Sequence, residues 1–88
     1  MSAPKYVLAG PFGNGNASAM TVPVPTRKYA RSLIDADRDY FERYSDTEGM
    51  TYYLYDIGDY LPDIQQVDGY PLVEYTITTR GIRTNDHV

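Results

Sequence analysis

Hydrophobic and polar positions change their period several times along the chain, and each change marks an element. Lys5 to Ala9 carries the β-compatible run Tyr6-Val7-Leu8 and predicts a short strand. Residues 10–18, GPFGNGNAS, are rich in Gly and Asn, which tolerate positive φ, and predict a flexible loop too long for a tight hairpin. Met20, Val22 and Val24 then alternate with Thr21 and Pro23, a period of two. Pro23 cannot donate to a ladder, so this second strand belongs at a sheet edge or ends early.

The period lengthens after Pro25-Thr26. Tyr29, Ala30, Leu33, Ile34, Tyr40, Phe41 and Tyr44 recur at three- and four-residue spacing, with Arg27, Lys28, Arg31, Asp35, Arg38, Asp39 and Glu42 mostly opposite. That pattern predicts an amphipathic helix of about 18 residues, with Thr26 as its cap. Arg31 with Asp35, and Asp39 with Arg43, are spaced for i,i+4 ion pairs. The helix is expected to stop around residues 45–49.

Met50 to Ile57, MTYYLYDI, is apolar or aromatic on both alternating faces and reads as a central strand. Gly58 to Tyr70 reads as a loop, with one helical turn near Pro62 to Gln66. Leu72 to Arg80 alternates cleanly: Val73, Tyr75, Ile77 and Thr79 face one way and Leu72, Glu74, Thr76 and Thr78 the other. One buried and one solvated face favour antiparallel pairing. Residues 81–88 read as a polar tail. The resulting order is β-β-α-β-β. It predicts a two-layer α+β fold, one helix on a four-stranded, mainly antiparallel sheet, with residues 1–88 as a single domain.

Composition narrows the function classes. With no cysteine among 88 residues, disulfides and thiolate metal sites are excluded. No apolar stretch is long enough for a membrane span or a signal-peptide core, so a cytoplasmic protein, or one incorporated into a soluble particle, is expected. The only histidine, His87, sits in the polar tail, far from the geometry a catalytic triad needs, so no enzyme activity is expected. Gly10, Gly13 and Gly15 lead into a strand rather than a helix, which disfavours a phosphate-binding loop. Asp35-x-Asp37-x-Asp39 resembles the start of a calcium loop, but Tyr40 stands where that loop needs glycine, and a helix would splay the three carboxylates. Neither metal nor cofactor is expected.

Charge is distributed unevenly. Residues 44–79 hold seven acids (Asp46, Glu48, Asp56, Asp59, Asp63, Asp68, Glu74) and no Lys or Arg, together with seven of the 10 tyrosines. Tyrosine offers a large rigid surface with a hydroxyl for a partner, and such asymmetry concerns recognition more than folding. Arg27, Lys28 and Arg31 cluster at the start of the helix, where cations oppose the helix dipole. A pI near 4.6 has the wrong sign for direct nucleic-acid binding. The expected function is a non-enzymatic protein–protein interaction module, a small structural or accessory subunit of a larger assembly such as a phage particle, meeting a protein partner or further copies of itself. The alternative is an acidic inhibitor that mimics nucleic acid and blocks a basic groove. The expected contact residues are Tyr52, Tyr53, Tyr55, Asp56, Asp59, Tyr60, Asp63, Asp68 and Tyr70, with Arg27 and Arg31 as a second contact. Tyr53 and Tyr55 are expected to matter more for binding than for folding. Both faces of MTYYLYDI cannot lie under one helix, so either the following loop or a partner must cover the second.

Overall fold

The computed structural model describes residues 3–10, 20–44, 50–78 and 80–86, with the side chains of residues 40–44 excepted. Strands β1 (Tyr6–Gly10) and β2 (Met20–Val24) precede helix α1 (Arg27–Tyr44). Then come β3 (Thr51–Asp56), a short 3₁₀ turn (Ile57–Asp59), β4 (Tyr60–Leu61), β5 (Gln66–Val67), β6 (Val73–Thr78) and β7 (Gly81–Asp86). The main sheet has five strands in the order β2-β1-β3-β6-β7, and β4-β5 form a separate two-stranded ribbon. All pairings are antiparallel. Because β2 and β3 both run against β1, they are parallel to each other across it.

The fold is α+β as the periodicities predict, but the sheet has five strands rather than four. The extra strand is the predicted polar tail: residues 81–86 pair along β6, from Thr78 opposite Gly81 to Val73 opposite Asp86. Gly81 adopts φ 137°, which a side chain would strain. The Thr78 hydroxyl accepts from the Arg80 N–H at 3.3 Å and donates to the Gly81 carbonyl at 3.1 Å, fastening the turn. The predicted loop 58–70 differs too. The turn expected near Pro62–Gln66 is present as two successive i→i+3 bonds, Ile64 N–H to Leu61 C=O at 3.3 Å and Gln65 N–H to Pro62 C=O at 3.4 Å, but it joins the two strands of the β4–β5 ribbon rather than standing in a loop. Most of the 10–18 loop and the last two residues lie outside the described residues.

The core lies between α1 and one face of the sheet. Ala30 and Ile34 from the helix meet Leu8, Val24, Tyr52, Leu54, Val73, Tyr75 and Ile77 from four strands. Thr26 caps the helix as expected, accepting from Tyr29 N–H at 3.0 Å through its side chain. Tyr52 stands at the centre of this layer and is fully enclosed. Gly10, predicted to begin a loop, is instead the last residue of β1, and a Cβ there would clash with the edge of the Tyr52 ring. The Tyr52 hydroxyl donates to the carboxylate of Asp37, which is itself only 9% exposed. Asp37 lies on the buried stripe three residues after Ile34, at a helical position that otherwise takes an apolar side chain.

The second face of β3 is resolved by chain rather than left bare. Val7 (0%) and Ala9 (8%) point away from the helix yet are buried. They lie opposite Tyr55 and Tyr53 on β3, whose rings are half-buried. The β4–β5 ribbon folds over the same side, where the Thr21 hydroxyl meets the Tyr60 hydroxyl at 3.3 Å and the Gln65 carbonyl at 3.2 Å.

Candidate partner-binding surfaces

The first surface is the acidic segment from Asp56 to Tyr70. Its backbone is tied at both ends: Ile57 N–H donates to Lys5 C=O at 3.1 Å, and Leu72 N–H to Leu54 C=O at 2.7 Å. Asp56 caps the 3₁₀ turn by accepting from Gly58 N–H at 2.8 Å. Within the segment, Asp68 N–H donates to Asp59 C=O at 2.8 Å. The framework is therefore ordered by hydrogen bonds, while three of its large apolar side chains remain outside. Leu61 is 43% exposed, Ile64 58% and Tyr70 91%. Around them Asp56, Asp63 and Asp68 are exposed, Asp59 is half-buried, and no Lys or Arg occurs between residues 56 and 70.

Of the residues expected to contact a partner, Asp56, Asp63, Asp68 and Tyr70 are exposed within this segment. Asp59 and Tyr60 are half-buried beneath it, Tyr60 through its contact with Thr21. Tyr53 and Tyr55 are half-buried beside Val7 and Ala9, so they form part of the second layer of packing. Tyr52 is a correction: it is 0% exposed and faces the helix, so no partner can reach it. Leu61 and Ile64 were not foreseen. They flank Pro62-Asp63 in a stretch without strong periodicity, where solvent-facing apolar residues cannot be told from anchoring ones.

The second surface lies at the opposite sheet edge and on the helix side. A groove of about 430 Å³ runs between α1 and β7, with Arg27, Lys28 and Arg31 on the helix wall and Thr84 and Asp86 on the strand wall. Tyr75 contributes to its lining from the core. Arg27 Nη1 reaches Asp86 Oδ1 at 3.3 Å, with both side chains about half exposed. Arg31 does not make the expected pair with Asp35: among the described residues Arg27–Asp86 is the salt bridge formed. Burial pushes the Tyr75 phenol pKa up, opposed by Arg27 and Arg31 and reinforced by Asp86. The Tyr55 phenol is also raised, first by burial and then by Tyr53, and the Tyr52 phenol is raised far above its usual value, first by burial and then by its bond to Asp37.

Among the described residues, no three His, Cys, Asp or Glu side chains converge to hold a metal ion. No described helix is long and apolar enough to cross a membrane. No family model matches the chain, and no curated protein or solved structure matches it.

Proposed function

We propose that this chain is a non-enzymatic protein-interaction module, an accessory or structural subunit that seats its 56–70 segment on a basic, apolar-lined surface of another protein. The observation that carries the reading is the exposure of Leu61, Ile64 and Tyr70 (43, 58 and 91%) among carboxylates with no intervening base. Apolar and aromatic side chains in a hydrogen-bonded frame provide buried anchors, and the surrounding acids steer encounter with a basic partner. The frame is preorganised, which limits the entropy lost on docking.

The test compares wild type with Ile64→Ser plus Tyr70→Ser, in pull-down from the native source and light scattering. The double variant should melt within a few degrees of wild type yet lose the captured partner. Retained capture would remove the segment from the interface. Salt separates the two forms of the proposal. An apolar-anchored subunit holds its partner at high ionic strength, whereas an acidic mimic loses affinity steeply.

A further inference from the structure

The two edges of the main sheet are treated differently. The β2 edge contains Pro23 and is crossed by the contact of Thr21 with the β4–β5 ribbon. The β7 edge contains no proline, and among the described residues no strand pairs with its outer side. Its free groups can be assigned. Ile77 N–H donates to Met50 C=O at 2.9 Å, so the Ile77 backbone points towards β3 and away from β7. Ile82 lies opposite Ile77 in the register, so its own N–H and C=O point outward. Alternation gives the same outward direction to Thr84 and Asp86, while Gly81, Arg83 and Asn85 bond to β6.

Above this open edge stands the basic start of α1. Arg27, Lys28 and Arg31 line the groove between helix and strand, with Asp35 further along the helix and Asp86 on the strand as its two acids. The first helical turn contains no acid to offset them. They therefore add to the positive end of the helix dipole, an unfavourable local arrangement that an incoming anion relieves. Lys28 and Arg31 make no ion pair among the described residues, and Arg27 is held only by half-exposed Asp86.

We propose that the β7 edge and the groove beside it bind an extended acidic peptide segment of a partner protein, added as a sixth strand. Main-chain bonds to Ile82, Thr84 and Asp86 would align the peptide, and alternate carboxylates would face Arg27, Lys28 and Arg31. This site shares no residue with the 56–70 surface and does not depend on it.

The experiment titrates full-length protein into fluorescein-labelled Val-Glu-Val-Glu-Val-Glu and follows anisotropy. Controls are the Lys-for-Glu peptide and a Glu peptide N-methylated at alternate amides. The acidic peptide should bind and the lysine peptide should not. Thr84→Pro removes an outward N–H without breaking a bond to β6, and should weaken binding at least tenfold. Lys28→Glu plus Arg31→Glu should do the same, and Ile64→Ser plus Tyr70→Ser should change nothing. If Thr84→Pro fails to fold, the N-methylated peptide tests the same bonds on the unaltered protein and should bind at least tenfold more weakly. No binding of the acidic peptide overturns the proposal. So does equal binding of the N-methylated peptide, or loss of binding in the Ile64/Tyr70 variant.

Discussion

Replacing Tyr52 by Phe keeps the ring that fills the centre of the core and deletes only its hydroxyl. That hydroxyl donates to Asp37, a carboxylate only 9% exposed. A hydrogen bond to a charged acceptor contributes roughly 1.5–3 kcal/mol, so the loss should be about 2 kcal/mol at pH 7. For a domain of this size that corresponds to a melting-temperature drop of roughly 10 °C. Urea titration followed by far-ultraviolet circular dichroism measures it without needing tryptophan. A loss below about 0.5 kcal/mol would refute the idea that this bond matters.

The pH dependence sharpens the test. Burial, then the bond to Asp37, raises the Tyr52 pKa in the folded state. The unfolded tyrosine ionises near its ordinary value of about 10. Above that pH the unfolded state binds fewer protons than the native state, so Tyr52 makes wild-type stability fall as pH rises. The contribution is intact below about pH 10, and phenylalanine lacks this dependence. The penalty of Tyr52→Phe should therefore shrink, by about 1.4 kcal/mol between pH 7 and 11. A penalty that grew over this range would place the hydroxyl in a different environment.

Two further substitutions probe the packing around this residue. Gly10→Ala forces a Cβ against an enclosed ring and should cost about 1–3 kcal/mol in chemical denaturation; a neutral result would mean the Tyr52 ring can shift. Tyr55→Ser uncovers Val7, its cross-strand partner, which is 0% exposed, and should lower stability by about 1–2 kcal/mol, contrary to a ring that serves only binding. Unchanged urea unfolding in that variant would return Tyr55 to the list of contact residues.

Elements with one buried face were legible in the sequence, and elements without one were not. Met20–Val24, the helix from Arg27 and the strand Val73–Thr78 each present an apolar period against the core. β7 has none: its last four residues, Arg83 to Asp86, are exposed on both faces, so alternation carries no signal there. Its presence follows from the turn chemistry at Thr78 and Gly81 and from the unpaired side of β6. The β4–β5 ribbon pairs only two residues per strand, too few to show any period. At the candidate site, clustering of acids and tyrosines marked residues 44–79, a wider stretch than the exposed 56–70 segment. It could not rank the rings, because Tyr52 and Tyr53 differ only in strand parity. Register decides it: Leu8 pairs with Leu54 on the helix face, which places Tyr52 with them and turns Tyr53 and Tyr55 away.

The same parity separates the core of this short chain from its exposed charged surfaces. β3 lies in the middle of the sheet and packs on both sides: Tyr52 and Leu54 under the helix, Tyr53 and Tyr55 against the second layer. Its far end leads directly into the acidic segment, which crosses the second face to reach Thr21 on the β2 edge. The helix, on the other face, carries the cations to the β7 edge. Arg27, Lys28 and Arg31 thus lie across the sheet from the 56–70 acids, while Lys5 is bonded beside that segment and Glu74 lines a pocket with Arg83. At the β7 edge, Arg27 pairs with Asp86 at 3.3 Å. Ile64 and Tyr70 add little to the core while remaining largely in water. Burial of such side chains is favourable by about 25 cal/mol per Å² of apolar surface, so leaving them out forgoes stability that a small domain could use. A partner surface would recover it, and under the two proposals above the partners would dock at opposite edges of the sheet.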